Sequence, residues 1–214
     1  MPSAPPLASR LTEGLTAMRL VLPDGARQKL LAYLDLLAKW NRTYNLTAVR
    51  DPEAMVSRHL LDSLAVLPYL HGATLADLGS GAGLPGIPLA IARPGLAVTL
   101  VESNGKKARF LREAVRGLQL ANVRVAQSRV QDTAGAFDSV TARAFASLAD
   151  MLAWGGHLLA PDGRWLALKG RADPAEIAAV PASFRVAAVH PLGVPGVAGE
   201  RCLIELVRTV PRND

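Results

Sequence analysis

The stretch Leu75-Ala76-Asp77-Leu78-Gly79-Ser80-Gly81-Ala82-Gly83-Leu84-Pro85-Gly86-Ile87-Pro88 decides the fold. In it an apolar run ends in an acidic residue, and glycines then occupy alternate positions. Glycine adopts positive φ and has no Cβ atom, so a ligand can approach the backbone closely where a strand turns into a helix. The pattern predicts a strand over 74–78, a helix near 86–92, and a nucleotide-like ligand at the turn between them.

Two classes of cofactor fit these glycines. Gly81, Gly83 and Gly86 satisfy the G-x-G-x-x-G spacing of dinucleotide-binding proteins, in which a helix N-terminus holds a pyrophosphate. Asp77 argues against that interpretation, because a carboxylate repels a pyrophosphate but attracts a ligand that carries an ammonium and a sulfonium. S-adenosylmethionine is such a ligand. Asp77, Gly81 and Gly83 are therefore candidate cofactor-binding residues.

The second predicted strand favours a ligand that carries a ribose. It covers 97–102, is rich in apolar and β-branched residues, and ends in Glu102 about twenty residues beyond the glycines. An acidic side chain at this place accepts hydrogen bonds from both ribose hydroxyls. Taken singly, Asp77 is also explained as a helix cap or turn former, and Glu102 as a solvated strand end. Their order and spacing together favour a cofactor site.

Composition places the chain among soluble globular proteins. It has 214 residues, of which 50% are apolar, so it is long enough to bury a core without metal or disulfide support. The single Cys202 excludes an internal disulfide framework, and one cysteine with four histidines predicts no metal site. Residues 1–10 lack the apolar segment of a signal peptide, and no later run is long enough to span a bilayer. We expect a cytoplasmic monomer that does not enter a membrane.

The charge of the chain favours a polyanionic partner. The net charge is +6 and the isoelectric point is near 10, and each phosphate that a cation neutralises adds affinity by releasing counterions. An arginine-rich composition from a GC-biased genome is the alternative explanation. One group of cations is predicted to form the solvated face of a helix that starts near the cofactor and that could guide RNA: Lys106, Lys107, Arg109, Arg112 and Arg116.

The order of predicted elements indicates an α/β fold with a helical extension. Helical periodicity over 9–21, 24–40 and 52–67 predicts an N-terminal helical extension over residues 1–70. Strands and helices then alternate in a core over 71–214, which indicates a mostly parallel sheet with right-handed crossovers. The predicted strands are 74–78, 97–102, 123–126, 138–142 and 157–168, and the predicted helices are 86–92, 105–118 and 147–153.

The end of the chain distinguishes between the two cofactor classes. Residues 184–190 and 201–208 read as two strands joined by a loop rich in glycine and proline, which favours an antiparallel C-terminal hairpin. A Rossmann-like sheet with such a hairpin is the class I S-adenosylmethionine-dependent methyltransferase arrangement. A nicotinamide dehydrogenase would need a second half or a substrate domain, for which the chain has no room.

The strand ends also narrow the reaction. Ligands of open α/β sheets bind at the carboxyl ends of the strands, where Arg143 follows the fourth strand and faces the expected substrate. Methylation of an exocyclic amine usually uses an Asp/Asn-Pro-Pro-aromatic loop there, but this chain has residues Thr141–Phe145. Methylation at pyrimidine carbon 5 needs a nucleophilic cysteine, and Cys202 lies in an apolar strand. A ring nitrogen such as guanine N7 needs only positioning.

Two motifs of the helical extension have open interpretations. Trp40 and Tyr44 fit either packing against the sheet or stacking on bases. His59 and Asp62, three residues apart, fit either a hydrogen-bonded pair on one helix face or side chains that line the mouth of the cofactor site.

Six motifs spread over most of the chain carry a family resemblance. They are WNRTYNLT (40–47), RHLLDSL (58–64), DLGSGAGLPGIPLAI (77–91), QSRV (127–130), RAFASL (143–148) and LKG (168–170). With them the chain resembles the RsmG/GidB methyltransferases, which modify guanine N7 in 16S ribosomal RNA. The resemblance is loose after Gly170.

This resemblance implies a bacterial cytoplasmic enzyme that transfers a methyl group from S-adenosylmethionine to guanine N7 in 16S rRNA, in the decoding region of the small ribosomal subunit, and releases S-adenosylhomocysteine. It also implies site residues. Gly79 and Leu84 match the cofactor contacts in the glycine loop, Val130 and Gln131 the adenine contacts, and Arg143 a further binding position; Asn45, Arg129, Arg143 and Arg201 match residues of the substrate or catalytic pocket. Gln131-Asp132 departs from relatives with acidic residues there, which weakens the assignment of Gln131. A non-catalytic S-adenosylmethionine-binding RNA chaperone or assembly factor and a nicotinamide oxidoreductase are the alternatives.

Overall fold

Helices dominate the described part of the chain before the first strand. The computed structural model describes residues 6–143 and 146–209. The chain begins with α1 (Leu7–Ala17) and α2 (Ala26–Tyr44), and then forms a composite helix of α3 (Pro52–Met55), a π-helical turn (Val56–Leu61) and α4 (Asp62–Leu64). Asp51 caps the composite helix by accepting a hydrogen bond from the Ala54 N–H at 2.7 Å. A 3-10 turn over Leu67–Tyr69 leads into the sheet.

A seven-stranded sheet forms the centre of the molecule. Its strands are β1 (Thr74–Leu78), β2 (Ala97–Val101), β3 (Val123–Ala126), β4 (Phe137–Arg143), β5 (Leu159–Lys169), β6 (Phe184–Pro191) and β7 (Cys202–Arg208). They lie in the order β3-β2-β1-β4-β5-β7-β6. β7 runs antiparallel to both of its neighbours, and the other pairs are parallel. The order reverses between β1 and β4, which is the place where open α/β sheets bind ligands.

Crossover helices cover the sheet on both faces. They are α5 (Gly86–Ala92), α6 (Gly105–Gly117), α7 (Leu148–Gly155) and the short α8 (Pro174–Ala178). One core cluster joins α2 and the composite helix to this sheet, for example through Leu37, Leu60 and Leu100. The second cluster, which contains Met151 and Trp165, lies on the other face. The helical extension therefore packs directly against one side of the sheet.

Most of the predicted elements are confirmed, although the first two helices cover Leu7–Ala17 and Ala26–Tyr44 instead of 9–21 and 24–40. There are three further differences. The helix predicted over 52–67 is not one regular α-helix, because the π-helical turn interrupts it. A π-turn adds one residue to a turn and rotates the side chains that follow away from the α-helical stripe. The fifth strand begins at Leu159 instead of 157, after a 3-10 turn over Gly156–Leu158. The sequence pattern did not predict α8.

Gly86, the first residue of α5, has no space for a side chain. A Cβ atom there would lie 2.3 Å from Leu100 Cδ2 and 2.7 Å from Asp77 Oδ2. We expect Gly86→Ala to lower the free energy of unfolding by about 1–3 kcal/mol, because overpacking forces neighbouring groups to move. Urea denaturation measures this. Gly117→Ala is the matched control, since no atom lies within 4 Å of its added Cβ, and an equal loss in both variants would contradict the steric argument.

Candidate functional site

The glycine turn after β1 needs the backbone freedom of glycine. Gly79, Gly81 and Gly83 all have positive φ, at 64°, 57° and 86°. Ser80 holds the turn in place: its N–H donates to the Val101 carbonyl at 3.0 Å, and its hydroxyl donates to the Asp77 carbonyl at 2.8 Å. The turn is thus fixed to the carboxyl ends of β1 and β2, with bare backbone on its surface.

Asp77 lies beneath this turn and is fully buried. Its Oδ2 atom accepts a hydrogen bond from the Gly86 N–H at 3.1 Å, whereas Oδ1 has no hydrogen-bond partner among the described residues. Burial raises the pKa of Asp77 to about 7, although the Gly86 N–H and the Arg143 guanidinium oppose the rise. A cation bound at the turn would stabilise the ionised carboxylate even without touching it, because charges act strongly across low-dielectric surroundings.

Glu102 connects the end of β2 to the same turn. Its Oε2 atom accepts from the Gly81 N–H at 2.9 Å, and its Oε1 atom accepts from the Asn104 N–H at 2.7 Å. Each carboxylate oxygen has two lone pairs, so both can accept a further hydrogen bond from a ribose hydroxyl. The role of Glu102 in holding a ribose stays a prediction.

Tyr33 of α2 is a part of this site that the sequence analysis missed. It is fully buried, and its hydroxyl donates to the carbonyl of Ala82 at 2.7 Å. Burial raises the pKa of Tyr33 far above its usual range, so the phenol stays protonated and remains a donor. The helical pattern around a tyrosine on an apolar face predicts that the residue is buried in the core. It does not predict which group the hydroxyl contacts.

We expect Tyr33→Phe to weaken S-adenosylmethionine binding by about three- to tenfold, because the Ala82 carbonyl loses its buried donor and the glycine turn loses a support. The free energy of unfolding should fall by about 1–3 kcal/mol. Calorimetric titration and urea denaturation measure the two effects. Tyr44→Phe is the control, because Tyr44 is partly exposed. Wild-type affinity in Tyr33→Phe would show that the turn does not depend on α2.

A cleft of about 420 Å³ opens at the carboxyl ends of β4 and β5. Its polar lining comes from the composite helix, from the two strand ends and from the segment that precedes β7, and the residues are Arg58, His59, Asp62, Arg143, Lys169 and Arg201. Leu168 and Cys202 contribute apolar surface. Pockets of this size with a few convergent polar groups are typical of small-molecule or nucleotide sites.

Two arginines of the cleft share one buried carboxylate. Asp62 Oδ2 lies 3.2 Å from Arg143 Nη1, and Asp62 Oδ1 lies 3.3 Å from Arg201 Nε, an ion pair without hydrogen-bond geometry. Arg143 Nη1 also donates to the Arg58 carbonyl at 3.2 Å. The positive charge of Arg143 favours lower pKa values at Asp77 and Tyr33, against the larger effect of burial, and also at His59. This charge therefore acts on both the glycine turn and the cleft.

His59 and Asp62 do not form the hydrogen-bonded pair that was one of the two interpretations. His59 Nε2 lies 3.0 Å from the Thr47 hydroxyl, and Asn41 holds Thr47 through both its N–H and its carbonyl. Burial, and then the Arg143 charge, lower the pKa of His59 to about 4, so the imidazole is neutral at pH 7. Residues of the 40–47 motif therefore hold His59, which lines the cleft.

The other predicted site residues lie outside the set that lines the cleft. Asn45 ends α2 in a left-handed conformation and accepts from Arg50 Nη2 at 2.9 Å. Arg129 and Gln131 are exposed beside β3, and Val130 between them is buried. Leu84 is buried within the glycine turn. The roles given to these residues remain predictions, and Ala144 and Phe145 of the 143–148 motif lie outside the described residues.

The aromatic and basic side chains have clear positions. Trp40 stacks on Tyr44 with ring centroids 5.1 Å apart and contacts Phe110 of α6 at 5.6 Å, so packing explains Trp40. The predicted basic face of α6 is confirmed as solvated, with Lys107 partly buried. Among the described residues no group of side chains fits a metal ion, and no helix is both long and apolar enough to cross a bilayer.

Comparison with known proteins identifies the family. A family model described as GidB, rRNA small subunit methyltransferase G, matches residues 26–204. The chain belongs to the GidB family. Ribosomal RNA small subunit methyltransferase G of Xanthomonas euvesicatoria pv. vesicatoria (strain 85-10) is 60% identical over 203 residues, which cover 94% of this chain and 95% of that protein.

Solved structures with the same fold are distant in sequence. The mitomycin 7-O-methyltransferase MmcR matches with a TM-score of 0.60 and 19% identity, over 96% of this chain and 74% of that one. The 1,6-didemethyltoxoflavin-N1-methyltransferase of Burkholderia thailandensis, solved with S-adenosylhomocysteine, matches with a TM-score of 0.55 and 15% identity, over 89% and 92% of the two chains. These likenesses show the fold.

Membership in the GidB family confirms several predictions. The family, the class I methyltransferase fold with its antiparallel hairpin, the methyltransferase activity and S-adenosylmethionine as the methyl donor are all confirmed. The residues fit that donor, because an unpartnered buried carboxylate oxygen and a glycine turn without side chains suit a cationic ligand close to the backbone. A nicotinamide oxidoreductase and a non-catalytic binding protein do not agree with this membership.

Proposed function

We propose that this protein transfers the methyl group of S-adenosylmethionine to N7 of a guanine in 16S rRNA. The observation that carries the proposal is the position of Arg143, which lies between the two halves of the site. It belongs to the arginine-lined cleft, and its charge also acts on Asp77 beneath the glycine turn. A donor at the turn and a base in the cleft would therefore meet beside Arg143.

The residues of the proposed donor site have distinct roles. Bound S-adenosylmethionine supplies an electrophilic methyl group on a positively charged sulfur. Asp77 attracts the positive charge, Glu102 orients the ribose, and the backbone of Gly79, Gly81 and Gly83 allows close approach. We propose that Leu84, Val130 and Gln131 complete the contacts to the donor.

The proposed acceptor needs no general base. N7 of guanine carries a lone pair and no proton, so the transfer is a direct displacement without a covalent enzyme intermediate. This agrees with His59, which is held by Thr47 on one wall, and with Cys202, whose thiol pKa is raised by burial. Catalysis then consists of aligning N7 with the methyl group, which by itself supplies several kcal/mol. We propose that Asn45, Arg129 and Arg201 hold the RNA for this alignment.

The rRNA target and the setting of the reaction are also part of the proposal. The net charge of +6 and the cations of α6 suit an RNA partner, as 16S rRNA alone or in the small subunit. We propose that the protein acts in the cytoplasm as a monomer, with residues 1–70 as a helical extension of the core at 71–214. Light scattering at micromolar concentration tests the oligomeric state.

Mass spectrometry of 16S rRNA tests the proposed function. The purified protein, S-adenosylmethionine and small subunits that lack the modification should yield 7-methylguanosine in one rRNA fragment. A deletion strain should lose that 7-methylguanosine. Methylation of a different atom, or full retention of 7-methylguanosine in the deletion strain, would contradict the proposal, and binding of RNA and donor without transfer would indicate an assembly factor.

A further inference from the structure

Asp62 lines the cleft and pairs with two of its arginines, although none of the roles described above uses it. The residue is 6% exposed and lies at the start of α4, directly after the π-helical turn. Its two oxygens face guanidiniums from different parts of the core: Arg143 at the end of β4 and Arg201 just before β7. A carboxylate of the helical extension thus holds two cations that the sheet alone would leave apart.

Basic side chains line the cleft besides Arg143 and Arg201, and Arg58 is one of them. His59 beside Asp62 is neutral at pH 7. Lys169 is already engaged, because its Nζ atom pairs with Glu176 and donates to the Ala146 carbonyl at 2.8 Å. Asp62 is therefore the acidic side chain, among the described residues that line the cleft, that offsets Arg143 and Arg201.

The net charge of the side chains around the guanine affects methyl transfer. The lone pair of guanine N7 forms the new N–C bond, the S–C bond breaks with its electron pair staying on sulfur, and no proton moves. One positive charge thereby leaves the sulfur and arrives on the purine ring. Two unbalanced guanidiniums near the ring would oppose that arrival, and a carboxylate between them would favour it.

We propose that Asp62 is a positioning residue that holds Arg143 and Arg201 in the cleft and cancels one of their two charges, so that the positive charge formed on guanine meets little repulsion. The inference rests on the proposed function. It separates two properties of the arginines: their geometry, which Asp62 fixes, and their excess charge, which Asp62 removes.

Steady-state kinetics of Asp62→Asn tests the proposal. We expect kcat to fall at least about tenfold, KM for the rRNA substrate to stay equal or to decrease, and the dissociation constant of S-adenosylmethionine to change less than twofold. Asp62→Glu keeps the charge and should hold kcat within about threefold of wild type. A purely structural role would instead raise KM, weaken donor binding and lower kcat together in both variants.

Arg201→Gln provides a second test that does not depend on how well Asp62→Asn folds, since Arg201 is partly exposed. It removes a cation and leaves Asp62 paired with Arg143. We expect a different pattern: a higher KM for rRNA, with a smaller loss of kcat than in Asp62→Asn. Equal kcat in Asp62→Asn and wild type, or a larger loss of kcat in Arg201→Gln than in Asp62→Asn, would overturn the proposal. Absence of 7-methylguanosine with the wild-type protein would instead overturn the proposed function.

Discussion

At pH 8, Asp77→Asn should bind S-adenosylmethionine about 100-fold more weakly than the wild-type protein. Asparagine keeps the volume of the side chain and an oxygen that can accept from the Gly86 N–H, so the change removes mainly the negative charge. A charge about 6 Å from a cation at an effective dielectric constant of about 20 contributes roughly 3 kcal/mol, which corresponds to about 100-fold in affinity.

Isothermal titration calorimetry measures this loss, and the same variant should be more stable than wild type. Burial raises the pKa of Asp77 to about 7 from 3.8 in the unfolded chain. The stability that the neutral carboxyl contributes is therefore fully present below about pH 3.8 and is lost as pH rises through 7. Asparagine avoids that loss, so the free energy of unfolding at pH 8 should rise by up to about 4 kcal/mol. Wild-type affinity together with unchanged stability would show that Asp77 carries no charge relevant to the ligand.

The affinity of the wild-type protein for S-adenosylmethionine should decrease as the pH falls, because Asp77 then becomes protonated. Below its pKa of about 7, Asp77 must lose a proton before it can favour a cation. We expect the dissociation constant of S-adenosylmethionine to increase several-fold, up to about tenfold, from pH 7.5 to pH 6. This series ends at pH 7.5 because the α-amino group of the ligand titrates at about pH 8. Comparisons of two proteins at pH 8 are unaffected, because the ligand is the same for both. Asp77→Asn is the control, in which the dependence should disappear.

The sequence pattern was sufficient to predict the sheet because each strand carries its own signal. Glycine, proline or acidic residues bound the strand before the glycine turn, the strand that ends in Glu102 and the C-terminal hairpin. Such boundary signals depend only on residues that are close in the chain. The interruption of the helix at 56–61 has no such local signal. An apolar stripe at Met55, Leu60 and Leu64 fits an α-helix. The structure instead has a π-helical turn that contains His59 and directly precedes Asp62, and both of these residues line the cleft.

The candidate site could be predicted in part. The glycine turn and Glu102 follow from spacing, because they are close in the chain to the strands that position them. Contacts between distant segments were not predictable in this way. Tyr33 meets Ala82 across 49 residues, and Arg143 meets Asp62 across 81. Patterns of period 3.6 or 2 report which face is buried and do not report which buried polar group lies opposite.

Arg143→Gln should reduce kcat/KM for rRNA methylation about 100-fold. Arg143 forms an ion pair with the buried Asp62, donates to the Arg58 carbonyl and lies near enough to Asp77 to lower its pKa. Loss of Arg143 leaves Asp62 without one of its two partners and changes the alignment of groups in the cleft, and a misplacement of about 1 Å costs about 100-fold in rate. Arg185→Gln is the matched control, because Arg185 is an exposed residue of β6, and it should leave kcat/KM unchanged.

Donor binding by Arg143→Gln at two pH values distinguishes loss of the Arg143 charge from misfolding of the cleft. Without Arg143 the pKa of Asp77 rises above 7, so the donor affinity of Arg143→Gln should be several-fold below wild type at pH 7 and should approach the wild-type value at pH 8. Calorimetric titration at the two pH values measures the recovery. A misfolded cleft would weaken donor binding equally at both pH values. Recovery with alkaline pH, combined with a persistent loss of kcat/KM, would therefore place Arg143 between the two halves of the site, acting on the donor through Asp77 and on the acceptor through the cleft.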